Sequence, residues 1–329
     1  MRNAYIKSTG SFAPEKIIPN QYFNELLGED VDTWLVENLN IRERRWCSEN
    51  ESTSFLCIEA ANRALVNANM KPEELDLIII STDTPEYISP STASVVQYKI
   101  GAKNAGTFDI NTACAGFVTA LDVASKYIRS DERYNNILVI GAYAMSKYLD
   151  MTDKKTVTLF ADGAGAVILS ATENVDRGFL ASELYTEGQY HDWMGIYAGG
   201  TYKPITEKVI TQKDHLLKFA KKFPKEINPV MWTKMVGELI ARVNLTPQGI
   251  NHYFFTQLNI NSINETLDNL NVPRECAHTI MDRYGYTGSA CIPMALDDAN
   301  KKGKLNEGDL IVFMGSGGGL AFASAIFKW

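Results

Sequence analysis

Thr107-Phe-Asp-Ile-Asn-Thr-Ala-Cys114-Ala-Gly-Phe-Val-Thr-Ala-Leu-Asp-Val-Ala-Ser-Lys-Tyr-Ile128 is the stretch on which the reading of this chain turns. Phe108 to Ile110 is a short apolar run of β character, and Asn111 and Thr112 turn the chain. From Ala115 onward Phe117, Leu121, Ala124 and Ile128 recur at intervals of three or four, which predicts a helix with one buried face. Cys114 therefore stands where a strand gives way to a helix. Unpaired backbone N–H groups and the positive end of the helix dipole favour a thiolate there. Such a thiol drops below its free value of about 8.5, and the thiolate is the nucleophile. Free cysteine also serves as one more small buried residue, so the local sequence leaves both readings open.

Working outward, the flanking segments alternate. Residues 4–10 and 75–82 read as strands, the second a nearly continuous apolar run suited to a sheet covered on both faces. Thr53 to Met70 has helical spacing, and Pro90 to Ile100 reads as a helix with proline near its first position. Asn136 to Ala142 is a strand, and Phe160 to Ser170 a glycine-rich turn running into another. No helix follows those glycines, so close backbone packing explains them better than a phosphate cradle.

Residues 176–212 are polar, rich in glycine and tyrosine, and without a strong period, as in a connection between halves. Beyond it, Asp214 to Phe223 has helical spacing, Pro224 and Pro229 break the pattern, and Trp232 to Val243 resumes it. Asn251 to Thr256 and Ala277 to Met281 read as strands, with a helix from Ile260 to Leu270 between them. Gly288 opens a turn into a helix ending at Asp298, and Leu310 to Met314 is a strand. A glycine turn at Ser316–Gly319 and a final strand close the chain.

The two halves echo each other: strand, turn, helix, strand, glycine turn, strand, first around Cys114 and then around Gly288. Repetition of this kind predicts two copies of one α/β unit packed together. Sites in such folds lie on loops leaving strand ends, where the copies meet. Cys114 occupies such a loop.

Bulk composition narrows the function. With 45% apolar and 22% charged residues the chain is globular rather than disordered, and its net charge of −7 argues against a nucleic-acid partner. No apolar stretch reaches membrane-span length, and the N-terminus lacks the apolar region of a signal peptide. Cys47, Cys57, Cys114, Cys276 and Cys291 are odd in number and far apart, indicating neither a disulfide framework nor a metal site. A reducing cytoplasm is the expected setting.

Five motifs together carry a family likeness: Trp34…Asn40-Ile-Arg-Glu-Arg-Arg-Trp46; Ser81-Thr-Asp-Thr-Pro…Pro90-Ser-Thr-Ala; Ala113-Cys114-Ala-Gly-Phe; Phe160-Ala-Asp-Gly-Ala-Gly-Ala166; and Ser316-Gly-Gly-Gly319. The chain resembles the β-ketoacyl-acyl-carrier-protein synthase III family from Tyr5 to Trp329. The resemblance implies a thiolase-like α/β fold with two pseudo-duplicated halves, residues 1–170 and 171–329, in a five-layer αβαβα sandwich. The second half would include the connecting segment 171–228. It also implies a homodimer.

By the same likeness Cys114 takes an acyl group from acyl-CoA as a thioester, and a carbanion from malonyl carrier protein then attacks it. Acyl-CoA and acyl carrier protein are the implied partners, with no cofactor. Backbone N–H groups of Cys114 and Gly318 would hold the oxyanion. Two family donors are replaced: Thr256 stands for a histidine and Tyr286 for an asparagine. Loss of one such donor typically costs about 10²–10³ in rate, although hydroxyls still donate. Three outcomes follow: retained condensation, acyl transfer to a different acceptor, or a partner-dependent ketosynthase-like subunit. By the likeness Trp34 matches a CoA-stacking aromatic, Lys154 stands for an arginine on the other face of the adenine and Asn259 matches a pantetheine-channel asparagine, while Asn38 and Asn261 replace basic residues of the family. His191, in the connection, and Glu86, just beyond a strand end, are auxiliary candidates.

Overall fold

Strands and helices alternate along the chain, and the alternation sorts them into two sheets. The computed structural model describes residues 2–329. The first half comprises β1 (Asn3–Phe12), β2 (Ile17–Pro19), α1 (Asn20–Leu27), α2 (Asp32–Leu39), β3 (Glu43–Arg45) and α3 (Thr53–Ala68). It continues through β4 (Leu77–Ser81), α4 (Thr92–Ile100), β5 (Gly106–Ile110), α5 (Gly116–Ser130), β6 (Asn136–Ala144), α6 (Lys154–Val157) and β7 (Asp162–Thr172). The second half opens with β8 (Gly178–Thr186), β9 (Met194–Gly195), α7 (Glu207–Thr211), β10 (Lys218–Phe219) and α8 (Ile227–Arg242). It ends with β11 (His252–Phe255), α9 (Ile260–Asn269), α10 (Met281–Tyr284), α11 (Cys291–Lys301), β12 (Leu310–Gly317) and β13 (Ala321–Lys328).

The first sheet has the order β1-β7-β6-β4-β5, with β4 parallel to both β5 and β6 and the other pairs antiparallel. The second has the order β11-β12-β13-β8, with β11 parallel to β12. Helices α3 and α4 cover the outer face of the first sheet, α8 with α9 that of the second, and α5 and α11 fill the space between. The result is the five-layer αβαβα thiolase-like sandwich. Every residue of β4 is buried, because helices cover it on both sides. Buried Phe117, Leu121, Ala124 and Ile128 are the apolar face of α5 anticipated from its period.

The glycines of 163–165 do not form a turn: they lie inside β7, where Gly165 pairs with Gly141 of β6. A side chain at Gly165 would come within 2.6 Å of the Met294 amide nitrogen. Glycine is required there because α11 lies directly on the strand, the close packing inferred from sequence. Four other expectations are corrected. Ala277–Met281 adds no strand; a single bridge joins Ala277 to Tyr253, so the second sheet lacks the counterpart of β5. Asp214–Phe223 is not a helix; it holds β10, paired with β9, after the short α7. The connection contains β8, whose outer residues Glu183 to Thr186 are polar or partly exposed, which hides the alternation. Pro229 does not break α8 but sits in its first turn, where a missing N–H costs nothing.

Candidate active site

The carboxyl ends of β4, β5 and β6 lie side by side, with Ser81 opposite both Ile110 and Gly141. Beyond β5 the Asn111 side chain accepts the Ala113 N–H at 3.0 Å, and the Gly116 N–H donates to Ala113 O at 2.9 Å. Ala113 is forced to a φ of +46°, left-handed for a residue with a Cβ. This tight turn delivers Cys114 to the start of α5, with 1% of its surface exposed. The second half closes on it from the opposite side. A methyl at Gly317, the last residue of β12, would stand 2.4 Å from the Cys114 amide nitrogen, so only glycine lets the two loops meet.

A channel of about 270 Å³ leads to this junction, lined near its inner end by Thr256, Tyr286, Ser316, Gly317 and Gly318 and farther out by Leu258, Asn259 and Trp34. Cys114 lies behind Gly317 and Tyr286 rather than on the wall. Trp34, 54% exposed on α2, also lines an outer cavity of about 720 Å³ with Phe219, Lys154, Lys155, Lys221 and Lys222. The two spaces thus meet at the tryptophan.

Tyr286 is held by backbone bonds on both sides, its N–H donating to Leu159 O at 3.0 Å and its carbonyl accepting the Ala161 N–H at 2.9 Å. Its ring packs on Phe160, and its phenol interacts with the Cys114 thiol. Thr256 is buried at the end of β11, but its hydroxyl donates to Ser316 O at 3.3 Å and accepts the Ser316 N–H at 2.9 Å. The expected donor to substrate is committed to tying β11 to β12. Asn259 caps α9 by accepting the Asn261 N–H at 2.9 Å, and Asn261 donates to Asn38 O at 2.9 Å. Lys154 pairs with Glu29 at 3.0 Å across the outer cavity.

The auxiliary candidates fall elsewhere. His191 lines a separate cavity with Asp192, Tyr197 and Asp214. Glu86 accepts the Ser54 N–H at 2.8 Å in the first turn of α3. Among the described residues no group of three His, Cys, Asp or Glu side chains is placed to hold a metal ion, and no helix is long and apolar enough to cross a membrane.

The resting sulfur also differs from expectation. Burial pushes the Cys114 thiol well above its ordinary range, and the nearby Asp83 charge pushes it further. The hydrogen bond from Tyr286 favours the thiolate but does not offset them. Desolvation outweighs the helix terminus here. Two residues that the sequence reading passed over belong to the site. Asn228, in the first turn of α8, lines the channel with a buried, unpartnered Oδ1. Asp83, beyond β4, carries another such oxygen; an aspartate among Ser, Thr and Pro reads as an ordinary turn residue.

A cysteine at a strand–helix turn, backed by the glycine turn of a second, like half and reached by a channel, defines an acyl-thioester enzyme of the thiolase-like class. Residues 108–188 match the family 3-oxoacyl-acyl-carrier-protein synthase III, and residues 240–329 its C-terminal counterpart. The chain belongs to this family. It is 36% identical over 326 residues to β-ketoacyl-acyl-carrier-protein synthase III of Caldanaerobacter subterraneus subsp. tengcongensis, covering 99% of this chain and 98% of that one. The enzyme of the same name from Clostridium acetobutylicum is 37% identical, with 100% and 99% covered. The crystal structure of 3-oxoacyl-acyl-carrier-protein synthase III from Aquifex aeolicus superposes with a TM-score of 0.87 at 32% identity, covering 99% of this chain and 100% of that one.

Proposed function

We propose that this chain takes an acyl group from acyl-CoA onto Cys114 and condenses it with a malonyl group carried by acyl carrier protein. The observation that carries the reading is Cys114 seated against Gly317 at the inner end of a channel whose mouth holds Trp34 and four lysines. Lysine ammonium groups suit the phosphates of CoA, and an exposed indole face suits its adenine. The apolar channel suits the pantetheine arm between them. Because Tyr286 stands between channel and sulfur, acyl transfer requires its ring to turn aside.

In the first step Cys114 Sγ attacks the thioester carbonyl, the Cys114 and Gly318 amides hold the oxyanion, and the CoA sulfur leaves. In the second, the malonyl thioester loses CO₂, and the electron pair left behind attacks the acyl carbonyl and releases Cys114 sulfur. Once its ring has turned, the Tyr286 hydroxyl is the side-chain donor proposed for the enolate oxygen. The commitment of the Thr256 hydroxyl to Ser316 favours a second reading, in which the acyl group passes to an amine, a hydroxyl or a carbanion not made from malonate. The chain acts as a homodimer, supported by the free outer edge of β5. Its five free thiols suit a reducing cytoplasm.

Intact mass after incubation with short and medium acyl-CoAs tests the first step: the wild type gains one acyl group and Cys114→Ala none. CO₂ release from malonyl carrier protein in step with β-ketoacyl product supports condensation. An adduct that never yields CO₂ sends the reading to the other acceptor, and no adduct with any donor ends it.

A further inference from the structure

Asp83 is fixed between two pinned neighbours. The Thr82 N–H donates to Ile110 O at 3.2 Å, the Ala144 N–H donates to Thr84 Oγ1 at 2.9 Å, and the Thr53 hydroxyl donates to Thr84 O at 2.5 Å. These bonds hold Asp83 at the carboxyl ends of β4, β5 and β6, where Cys114 leaves β5 and Tyr143 stands near the end of β6. Ser81 presses the end of β4 onto the Cys114 helix so closely that a methyl at Gly116 would come within 1.9 Å of Ser81 Oγ.

Asp83 Oδ1 is buried and receives no hydrogen bond. Its surroundings are acidic or neutral. Its charge acts on the Cys114 thiol from the β5–α5 turn, on the Tyr143 phenol from β6 and on the Tyr148 phenol just beyond β6. On its own loop, Glu86 is taken up by the Ser54 N–H, and Lys147, following β6, donates to Ser48 O. Among the described residues no cation and no histidine is found to offset the charge of Asp83 or of Cys114. A carboxylate with one oxygen buried and unpaired and with no counter-ion is costly, and burial lifts it to about 6 against the pull of its own backbone N–H, which lowers it. That value lets it accept a proton near neutral pH.

We propose that Asp83 is the proton acceptor that activates Cys114. As Cys114 Sγ bonds to the thioester carbonyl carbon, the S–H proton passes to Asp83 Oδ1. As the bond from that carbon to the CoA sulfur breaks, Asp83 returns the proton to the departing sulfur. Asp83 ends as it began, a carboxylate, and nothing is oxidised or reduced. The assignment rests on Cys114 being the acyl acceptor.

The test follows single-turnover acylation by intact mass from about pH 5 to about pH 9, in wild type, Asp83→Asn and Asp83→Glu. The expected wild-type rate falls away on acidification through an inflection near 6, the value set by Asp83. Asp83→Asn loses that inflection and acylates about 10²–10⁴-fold more slowly near neutral pH, and Asp83→Glu restores part of both. Alkylation of Cys114 by iodoacetamide fixes the sign. A bystander charge disfavours the thiolate, so its removal would speed alkylation, whereas loss of a proton acceptor slows it. Faster alkylation, or unchanged acylation with an unchanged profile, overturns the assignment. Where Asp83→Asn does not fold, the other two proteins decide. A wild type without the inflection, or an Asp83→Glu profile identical to it, overturns the assignment, and a displaced inflection upholds it. If no acyl-CoA labels the wild type, the acyl-acceptor reading fails, and alkylation still judges Asp83.

Discussion

Holding Asp83 beside a buried thiol costs stability whenever its carboxyl is ionised. Its folded value of about 6 lies above the ordinary 3.8, so the folded state holds the proton more tightly than the unfolded chain does. That contribution is complete below about pH 4 and is lost as pH rises through about 6, a difference of up to about 3 kcal/mol. Asp83→Asn removes the penalty. Its melting temperature should exceed that of the wild type at about pH 8, with the gap closing toward about pH 4, as differential scanning fluorimetry would read. A melting temperature lower than wild type at both pH values would show that the carboxylate is stabilised by partners instead. At this scale the place of Cys114 at a strand–helix turn was legible because the change from β-like run to helical period happens at Cys114 itself. The state of its thiol was not, because desolvation comes from β12 and the second half, far away in sequence. Asp83 was hidden for the same reason, since an orphaned oxygen is a property of three strand ends meeting.

Among the elements, a strap of hydrogen bonds on Asp298 ties α11 to α10 and to the segment at His278. Asp298 of α11 accepts hydrogen bonds from His278 at 2.7 Å, Lys302 at 2.8 Å and Arg283 of α10 at 3.1 Å. Burial works against its charge, yet these three donors outweigh it and hold the carboxyl well below the usual carboxylate range. A depressed folded value contributes stability above the unfolded value and loses it as pH falls. Asp298→Asn should therefore lower stability by about 1–3 kcal/mol near neutral pH. Denaturant titrations should show the gap to wild type narrowing on acidification; a gap that widens would contradict the strap. Helices α5 and α11 were readable because each keeps one apolar face over several turns. Ala277–Met281 was misread because a short apolar run serves equally as a strand or as a buried crossing. Here the chain takes the crossing, since His278 must turn to Asp298.

The molecule as a whole repeats one unit, and the repeat was visible as an order of elements before any contact was known. What the order could not reveal is its asymmetry: the first sheet has β5 at its edge, whereas the second has only the Tyr253–Ala277 bridge in that place. The remaining edges are engaged, β1 lying against β8 and β11 bridged by Ala277. Of the two large sheets, among the described residues, β5 presents the open ladder, and Tyr87, Ile88 and Tyr98 stand exposed in the loop and helix that precede it. Such an edge invites a strand from another chain, and two copies related by a twofold axis satisfy it reciprocally. The Ile110 carbonyl accepts from Thr82, so Ile110 faces β4, and by alternation Thr107 faces outward. Thr107→Pro removes an outward N–H without touching the β4 ladder. In sedimentation velocity the wild type should run as a dimer and Thr107→Pro as a monomer with an unchanged circular dichroism spectrum. A monomeric wild type would remove the dimer, and a Thr107→Pro protein still dimeric would move the interface away from β5. Because β5 runs directly into the Cys114 turn, the monomeric variant should also acylate more slowly if a partner strand on β5 braces that turn, and an acylation rate equal to wild type would separate the turn from the interface.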